Sequence, residues 1–282
     1  MTAAQTPGAS SNGERVFIRL GPPPEEPGQF VTDGAPQSYP ADVQARLEVD
    51  AKEIIGRYPE PRSALLPLLH LVQSEDGYIT PAGVEFCGAQ LGLTGAEVAA
   101  VASFYTMYRR GPTGDYFVGV CTNTLCAVMG GDAIFDSLKE HLGIGNDETT
   151  EDGSVTLQHV ECNAACDLAP VVMVNWEFYD NQTIESARDL VDGLRSGQPP
   201  APSRGLAPLC TFKETERILA GFPDPRPDAG QGGAAAATLA GLQVAKEQNM
   251  IAESQPSTMQ SEATLRSGAE SQPSPENSGG KQ

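Results

Sequence analysis

Apolar positions between residues 41 and 112 recur every three to four residues, the period of helices that bury one face. In the stretch from Ala41 to Tyr58, Val43, Leu47, Ile54 and Ile55 carry the apolar stripe, charges lie between them, and Pro59 ends the run. A second run from Ser63 to Ser74 is apolar almost throughout; Ser63 is its expected N-cap, Pro67 falls in its first turn, and Gly77 stops it. Thr80-Pro81 starts a third, a cap followed by proline at the first helical position, running to about Leu91. Thr94 with Glu97 forms a capping box for a fourth that reaches about Met107. These four short amphipathic helices predict a small bundle over residues 41–112, with Gly111-Pro112-Thr113-Gly114 as its exit.

From there the period becomes extended. Tyr116 to Val120 reads as a strand, Gly131 to Leu142 as a helix stopped by Gly143, and Val155 to Val160 as a second strand. Pro170 to Val174 and Glu177 to Tyr179 read as a hairpin across Asn175-Trp176, and Thr183 to Arg195 closes as a helix. The order β-α-β-β-α over residues 113–198 is a thioredoxin-like layout. The fold class is therefore α+β.

The ends of the chain lack either period. Residues 1–40 are rich in Pro, Gly and Ser, and such composition buries too little apolar area to offset its ordering entropy, so they read as a flexible arm. Val16 to Leu20 is the one short strand candidate in it. Residues 199–282 read as a low-order tail for the same reason, with 206–222 (Cys210 to Leu219 at its centre) as a segment that orders against a partner.

Charge narrows the function classes. The 282-residue chain carries 18 Lys and Arg against 37 Asp and Glu, a net charge of −19. So acidic a surface repels phosphate backbones and anionic lipid, which argues against nucleic acid and direct membrane contact. The longest apolar runs, Leu65 to Val72 and Ala169 to Val174, are far too short to span a bilayer. Met1 to Ser11 has neither a basic nor an apolar signal region, so the expected compartment is a reducing cytoplasm.

The chemistry lies in two tight cysteine pairs at strand ends, where α/β layers place ligands. Cys121 and Cys126 have four residues between them, Cys162 and Cys166 have three, and 35 residues separate the pairs. Thiolates are soft donors that select iron–sulfur clusters, zinc and copper(I), and four of them complete one compact centre. Three readings stand at this point. Disulfides are disfavoured in a reducing compartment. A four-thiolate structural zinc, stapling an interaction module, has overlapping spacing. Zinc ribbons, however, mostly repeat a two-residue gap, and the first gap here matches plant-type [2Fe–2S] proteins, although their third cysteine follows at once, unlike here.

Several stretches together carry a resemblance. Arg62-Ser63-Ala64-Leu65-Leu66-Pro67-Leu68-Leu69 is followed by Gln73 and Gly77-Tyr78-Ile79. Then come Phe104-Tyr105-Thr106-Met107-Tyr108, Val120-Cys121-Thr122-Asn123 through Cys126, and Glu161-Cys162 through Cys166, ending in Ala169-Pro170-Val171. Residues 41 to about 198 thereby resemble the family of NADH dehydrogenase E subunits, the thioredoxin-like [2Fe–2S] subunit of respiratory complex I. Asn163-Ala164-Ala165 stands where that pattern has Leu-Gly-Ala.

The resemblance implies one [2Fe–2S] cluster on Cys121, Cys126, Cys162 and Cys166, at the heart of a thioredoxin-like [2Fe–2S] ferredoxin domain. It implies electron transfer within NADH:quinone oxidoreductase, next to a flavoprotein subunit that carries FMN and binds NADH, among the other peripheral-arm subunits. It places the chain in the cytoplasm, held at the inner face of the plasma membrane through the complex. The equivalent subunit of an NAD-linked hydrogenase or formate dehydrogenase shares the same motifs. Two ferric ions, two sulfides and four thiolates sum to a formal charge of about −2, and about −3 after one-electron reduction, so the expected potential is low. Gly143-Ile144-Gly145 follows a helix and lacks the third glycine of a dinucleotide loop, so NADH binding by this chain alone is not expected.

The remaining candidates have simpler readings. Cys87, on an amphipathic helix, is a core thiol, and Cys210 is an inert or partner-covered one. His159 lacks the Cys-x-His pairs of a Rieske centre and is a strand residue; His70 and His141 are helix residues. Phe104, Tyr105 and Tyr108 read first as a packing stripe.

Overall fold

The computed structural model describes residues 34–226 and 236–250. These fall in two units, one within residues 1–233 and one beginning at Ala234, and each is described by itself. The candidate strand from Val16 to Leu20, and the arm before residue 34, lie outside the described residues.

Four helices open the first unit: α1 (Ala41–Ile55), α2 (Leu65–Asp76), α3 (Pro81–Leu91) and α4 (Gly95–Phe104). Leu47, Ala51 and Ile54 form the buried stripe of α1. α2 buries Leu65, Leu68, Leu69, Leu71 and Val72, more than one face, because it is the centre of the helical layer. Gly77 ends it in the left-handed conformation (φ 81°) that a C-terminal glycine supplies. The α3 start is capped by Thr80, whose hydroxyl accepts from the Gly83 N–H, and the capping box of Thr94 and Glu97 starts α4.

Two boundaries differ from the sequence expectation. Ser63 does not cap α2; it lies in a single 3-10 turn, Pro61–Ala64, that leads into the helix. α4 stops at Phe104 rather than near Met107, since Tyr105 turns to an extended backbone.

The sheet follows: β1 (Tyr116–Cys121), then α5 (Thr124–Val128), α6 (Gly131–Leu142), β2 (Glu148–Thr149), β3 (Val155–Val160), β4 (Val172–Val174), β5 (Glu177–Tyr179) and α7 (Ile184–Arg195). Strand order is β2-β3-β1-β4-β5. β1 is central, parallel to β3 and antiparallel to β4. The parallel pair requires a crossover, which α6 provides. One sheet face packs Val118, Val120, Leu157 and Val174 against Ile134 and Leu138 of α6 and Leu190, Val191 and Leu194 of α7. The alternate face carries Phe117 and Met173. On that face Gly119 makes room for its neighbours: a Cβ there would stand 2.8 Å from Met173 Cε and 2.9 Å from Val160 Cγ1, so both side chains would have to shift.

The segment after residue 199 corrects the expectation of a low-order tail over its first part. Residues 200–226 belong to the first unit. Tyr179 donates its hydroxyl to Pro200 O (2.9 Å), and the Phe178 N–H donates to Arg204 O (3.0 Å). α8 (Phe212–Leu219) starts with its own capping box, Thr211 and Glu214, and packs on α2. Phe212 is fully buried beside Phe117, and the Arg57 guanidinium donates to Gly221 O (2.9 Å). The docking site of segment 206–222 is thus this chain's own helical layer. The physical reason is an amphipathic pattern with two apolar anchors: Phe212 buries with Phe117 and Met173 on the sheet, and Ala220 joins the core cluster that holds α2. In the second unit, α9 (Ala236–Glu247) is a helix where sequence composition predicts none, with Leu239, Leu242 and Val244 exposed.

Candidate metal centre

The register of β1 and β3 pairs Cys121 with Val160, so the chain leaves both strands at one sheet edge carrying its cysteines. The Cys121 N–H donates to Val171 O (3.1 Å), which fixes the end of β1 against the strand that opens the hairpin. α5 then turns Cys126 back beneath the loop. Asn123 ties the two cysteine loops together by donating Nδ2–H to Glu161 Oε2 at 2.9 Å. Gly131, the first residue of α6, lies under both: a Cβ there would meet the carbonyl oxygens of Cys121 and Cys126, the latter at 2.9 Å.

The two pairs differ in exposure. Cys121 and Cys126 are buried at 2% exposure each, whereas Cys162 and Cys166 are exposed. Cys162 Sγ and Cys166 Sγ lie 3.8 Å apart. The Ala164 N–H donates to Cys162 Sγ at 3.3 Å, from a left-handed backbone (φ 54°) that bends the loop around the sulfur. Ala165, Ala169 and Val171 surround the buried pair with small or branched apolar groups. Burial pushes the Cys126 thiol up to about 11, the Cys121 and Cys166 thiols add to the rise, and a hydrogen bond from the Val171 backbone opposes it. Hydrogen bonding to Cys162 is the first cause of a raised Cys166, followed by the charge of the same thiol, with Cys121 contributing too. Each pair therefore senses the other.

All six cysteines are free. Among the described residues, no group of three or more His, Cys, Asp and Glu side chains is close enough to hold one metal ion. Four of the thiols lie instead as two neighbouring pairs, and their soft donor chemistry fits a [2Fe-2S] group. The backbone N–H groups of Ala164 and Val171 add the hydrogen bonds to sulfur that tune such a centre.

Other sequence candidates stay outside this group. Cys87 is fully buried in the helical layer. Cys210 is buried ahead of α8, its carbonyl accepting from Asn175 Nδ2 (2.9 Å). His159 is exposed on β3, and its N–H donates to Asn146 Oδ1. His141 contacts Asp192, and His70 contacts Glu216. The aromatic stripe is corrected: only Tyr108 packs inside, while Phe104 is 78% exposed and Tyr105 44%. The sequence places Gly131 at a helix start and Asn123 in the first cysteine motif, but assigns neither a part in seating the cysteine loops. The Gly130-Gly131 pair before a helix was the available signal for a close approach; the Asn123–Glu161 link had none.

Comparison with known proteins agrees with this geometry. The family model described as thioredoxin-like [2Fe-2S] ferredoxin matches residues 51–195. The E subunit of NADH-quinone oxidoreductase from Mycobacterium tuberculosis is 78% identical over 240 residues, 85% of this chain and 95% of that protein. NADH-quinone oxidoreductase subunit 2 of Thermus thermophilus is 41% identical over 150 residues, 52% of this chain and 83% of that one. Among solved structures, an NAD+-reducing [NiFe]-hydrogenase in the air-oxidized state is similar at 20% identity and a TM-score of 0.44, over 50% of this chain and 26% of that one. The chain belongs to the thioredoxin-like [2Fe-2S] ferredoxin family, among the E subunits of NADH-quinone oxidoreductases.

Proposed function

We propose that this chain is the electron-transfer subunit of an NADH-quinone oxidoreductase and that Cys121, Cys126, Cys162 and Cys166 hold its one [2Fe-2S] cluster. The observation that carries this reading is the pair of thiol pairs at the adjoining ends of β1 and β3. A bound cluster supplies one-electron chemistry at low potential. The chain's own residues set the frame: Gly131 lets the first loop seat on α6, and the Ala164 and Val171 N–H groups face sulfur. One-electron transfer needs no general base or nucleophile.

The partner in this reading is a flavoprotein subunit carrying FMN and binding NADH, together with other subunits of the peripheral arm. The exposed pair, Cys162 and Cys166, and the exposed Val128 and Met129 next to Cys126 give that partner its contact face. Among the described residues no helix is long and apolar enough to cross a membrane. In this reading the chain sits at the cytoplasmic face of the membrane through its complex.

Visible absorption, metal content and low-temperature EPR of the dithionite-reduced chain test the assignment. The expected sample is coloured, holds about two iron and two sulfide per chain, and is EPR-active when reduced. Cys126→Ala and Cys162→Ala should each abolish or badly weaken the signal. A colourless, EPR-silent preparation with one zinc per chain would end the reading.

A further inference from the structure

Between the turn that follows α4 and the C-terminal end of β3 lies a groove of about 380 Å³ whose lining includes Tyr108, Arg109, His159, Cys162, Asn163 and Trp176. Two buried polar atoms of that lining have no partner, Arg109 Nε and Asn163 Nδ2. Both are N–H donors. Arg109 is 6% exposed, and the rest of its guanidinium is committed. Nη2 pairs with Asp147, Nη1 donates to Gln158 Oε1 at 2.8 Å, and its carbon lies 4.5 Å from the Phe117 ring centre.

Buried donors without acceptors cost a fold stability, so two of them on residues that line one groove ask for a ligand that brings acceptors. Asp147 is a partial counter-charge, its side chain 53% exposed. Burial still outweighs Asp147 and holds the Arg109 guanidinium below its ordinary range, leaving room for a second negative partner. The groove also opens at the carboxyl end of a parallel strand, the usual ligand position of α/β layers.

We propose that this groove binds a carboxylate, free or borne by an Asp or Glu of a partner subunit, which accepts from Arg109 Nε and Asn163 Nδ2. The chain's net charge of −19 repels anions at long range, so recognition rests on these short-range donors rather than on the overall field. The groove shares Cys162 with the cluster assignment and Asn163 follows it directly in the chain, so the visible absorbance of the same samples is read alongside to keep the two assignments apart.

The test is calorimetric titration of the cluster-loaded full chain with sodium acetate against sodium chloride at equal ionic strength, alongside recovery of the partner subunits with affinity-tagged chain. The expected result is one saturable acetate site, weakened about tenfold or more in Arg109→Lys and Asn163→Leu and tightened in Asp147→Asn, which removes the competing carboxylate. Acetate binding lost in the two donor variants assigns a free carboxylate. Absence of acetate binding, joined to loss of partner subunits from both variants at unchanged cluster absorbance, assigns a partner-borne one. Arg109 also anchors Asp147 and Gln158, so Asn163→Leu decides the matter should Arg109→Lys fail to fold. Acetate binding equal in all variants, or no acetate binding with assembly intact in Asn163→Leu, overturns the proposal.

Discussion

His70 Nδ1 and Glu216 Oε2 lie 2.6 Å apart across 146 residues of chain, and Glu216 is fully buried. The second oxygen of that carboxylate accepts from Trp176 Nε1 at 3.3 Å. One side chain thus joins α2, α8 and the turn between β4 and β5. Removing it leaves the ring nitrogens of His70 and Trp176, both half-buried, without that partner, a change that costs about 1–3 kcal/mol. Glu216→Ala should therefore lower the melting temperature by several degrees. In a double-mutant cycle with His70→Ala the two losses should fall short of additivity. Independent, additive losses would mean that the pair is incidental. Ending the chain at residue 205 should cost at least as much, since it also uncovers Phe117.

How much of this was legible beforehand depends on how local each signal is. Thr80-Pro81, the Thr94–Glu97 box, Gly77 and Gly143 act within four residues, and each marks an observed helix end. The cysteine positions were equally plain, because a strand period runs straight into each pair. The destination of α8 was not. Its capping box and apolar face are local, but the surface that it covers is α2, far back in the chain. β2 has only two residues, too few to show a period. Phe104 continued an apolar pattern that the backbone abandons at Tyr105, so the pattern overstated the helix. Arg109 draws its partners from Asp147 and Gln158 and its ring contact from Phe117, and nothing near it in sequence announces them.

Gly131 gives a sharp test of how the first cysteine loop is seated. A methyl group there runs into two backbone carbonyls, of Cys121 and Cys126, which cannot swing aside as a side-chain tip can. Gly131→Ala should cost about 1–3 kcal/mol of strain. That strain falls on the loop carrying Cys121 and Cys126, so iron content and visible absorbance should drop well before far-ultraviolet circular dichroism changes. Full iron loading in Gly131→Ala would show that the loop adapts and that the close approach is unimportant.

The two cysteines outside the pairs should behave in the opposite way. Burial pushes the thiols of Cys87 and Cys210 above their ordinary range, so both are poor nucleophiles in the folded chain. Cys87→Ser and Cys210→Ser should each keep the full iron and sulfide content of the unaltered chain. With the native chain in neutral buffer, alkylation of either thiol should be slow until denaturant is added. Loss of iron in one of these variants, measured on folded protein, would require a different ligand set.

Asp152 supplies the pH dependence with the clearest sign. It sits between β2 and β3 and accepts from Thr150 Oγ1 (2.6 Å), the Ser154 N–H (2.9 Å) and Arg195 Nη2 (2.7 Å). The Ser154 and Thr150 hydroxyls, then the Ser154 backbone and Arg195, hold its carboxyl well below the ordinary 3.8. On acidification the unfolded chain therefore takes up this proton before the folded chain does. The stabilisation is complete above the ordinary carboxylate value and drains away as pH falls through it towards the depressed folded value. Asp152→Asn abolishes that contribution, so its penalty in melting temperature should be largest at neutral pH, begin to shrink as pH falls below the ordinary carboxylate value and go on shrinking towards the depressed folded one. The carboxylate is solvent-exposed, so added salt should trim the effect at neutral pH. Paired thermal melts of the two proteins across that range decide the matter: a penalty that stays constant with pH would assign it to lost turn geometry rather than to the charge.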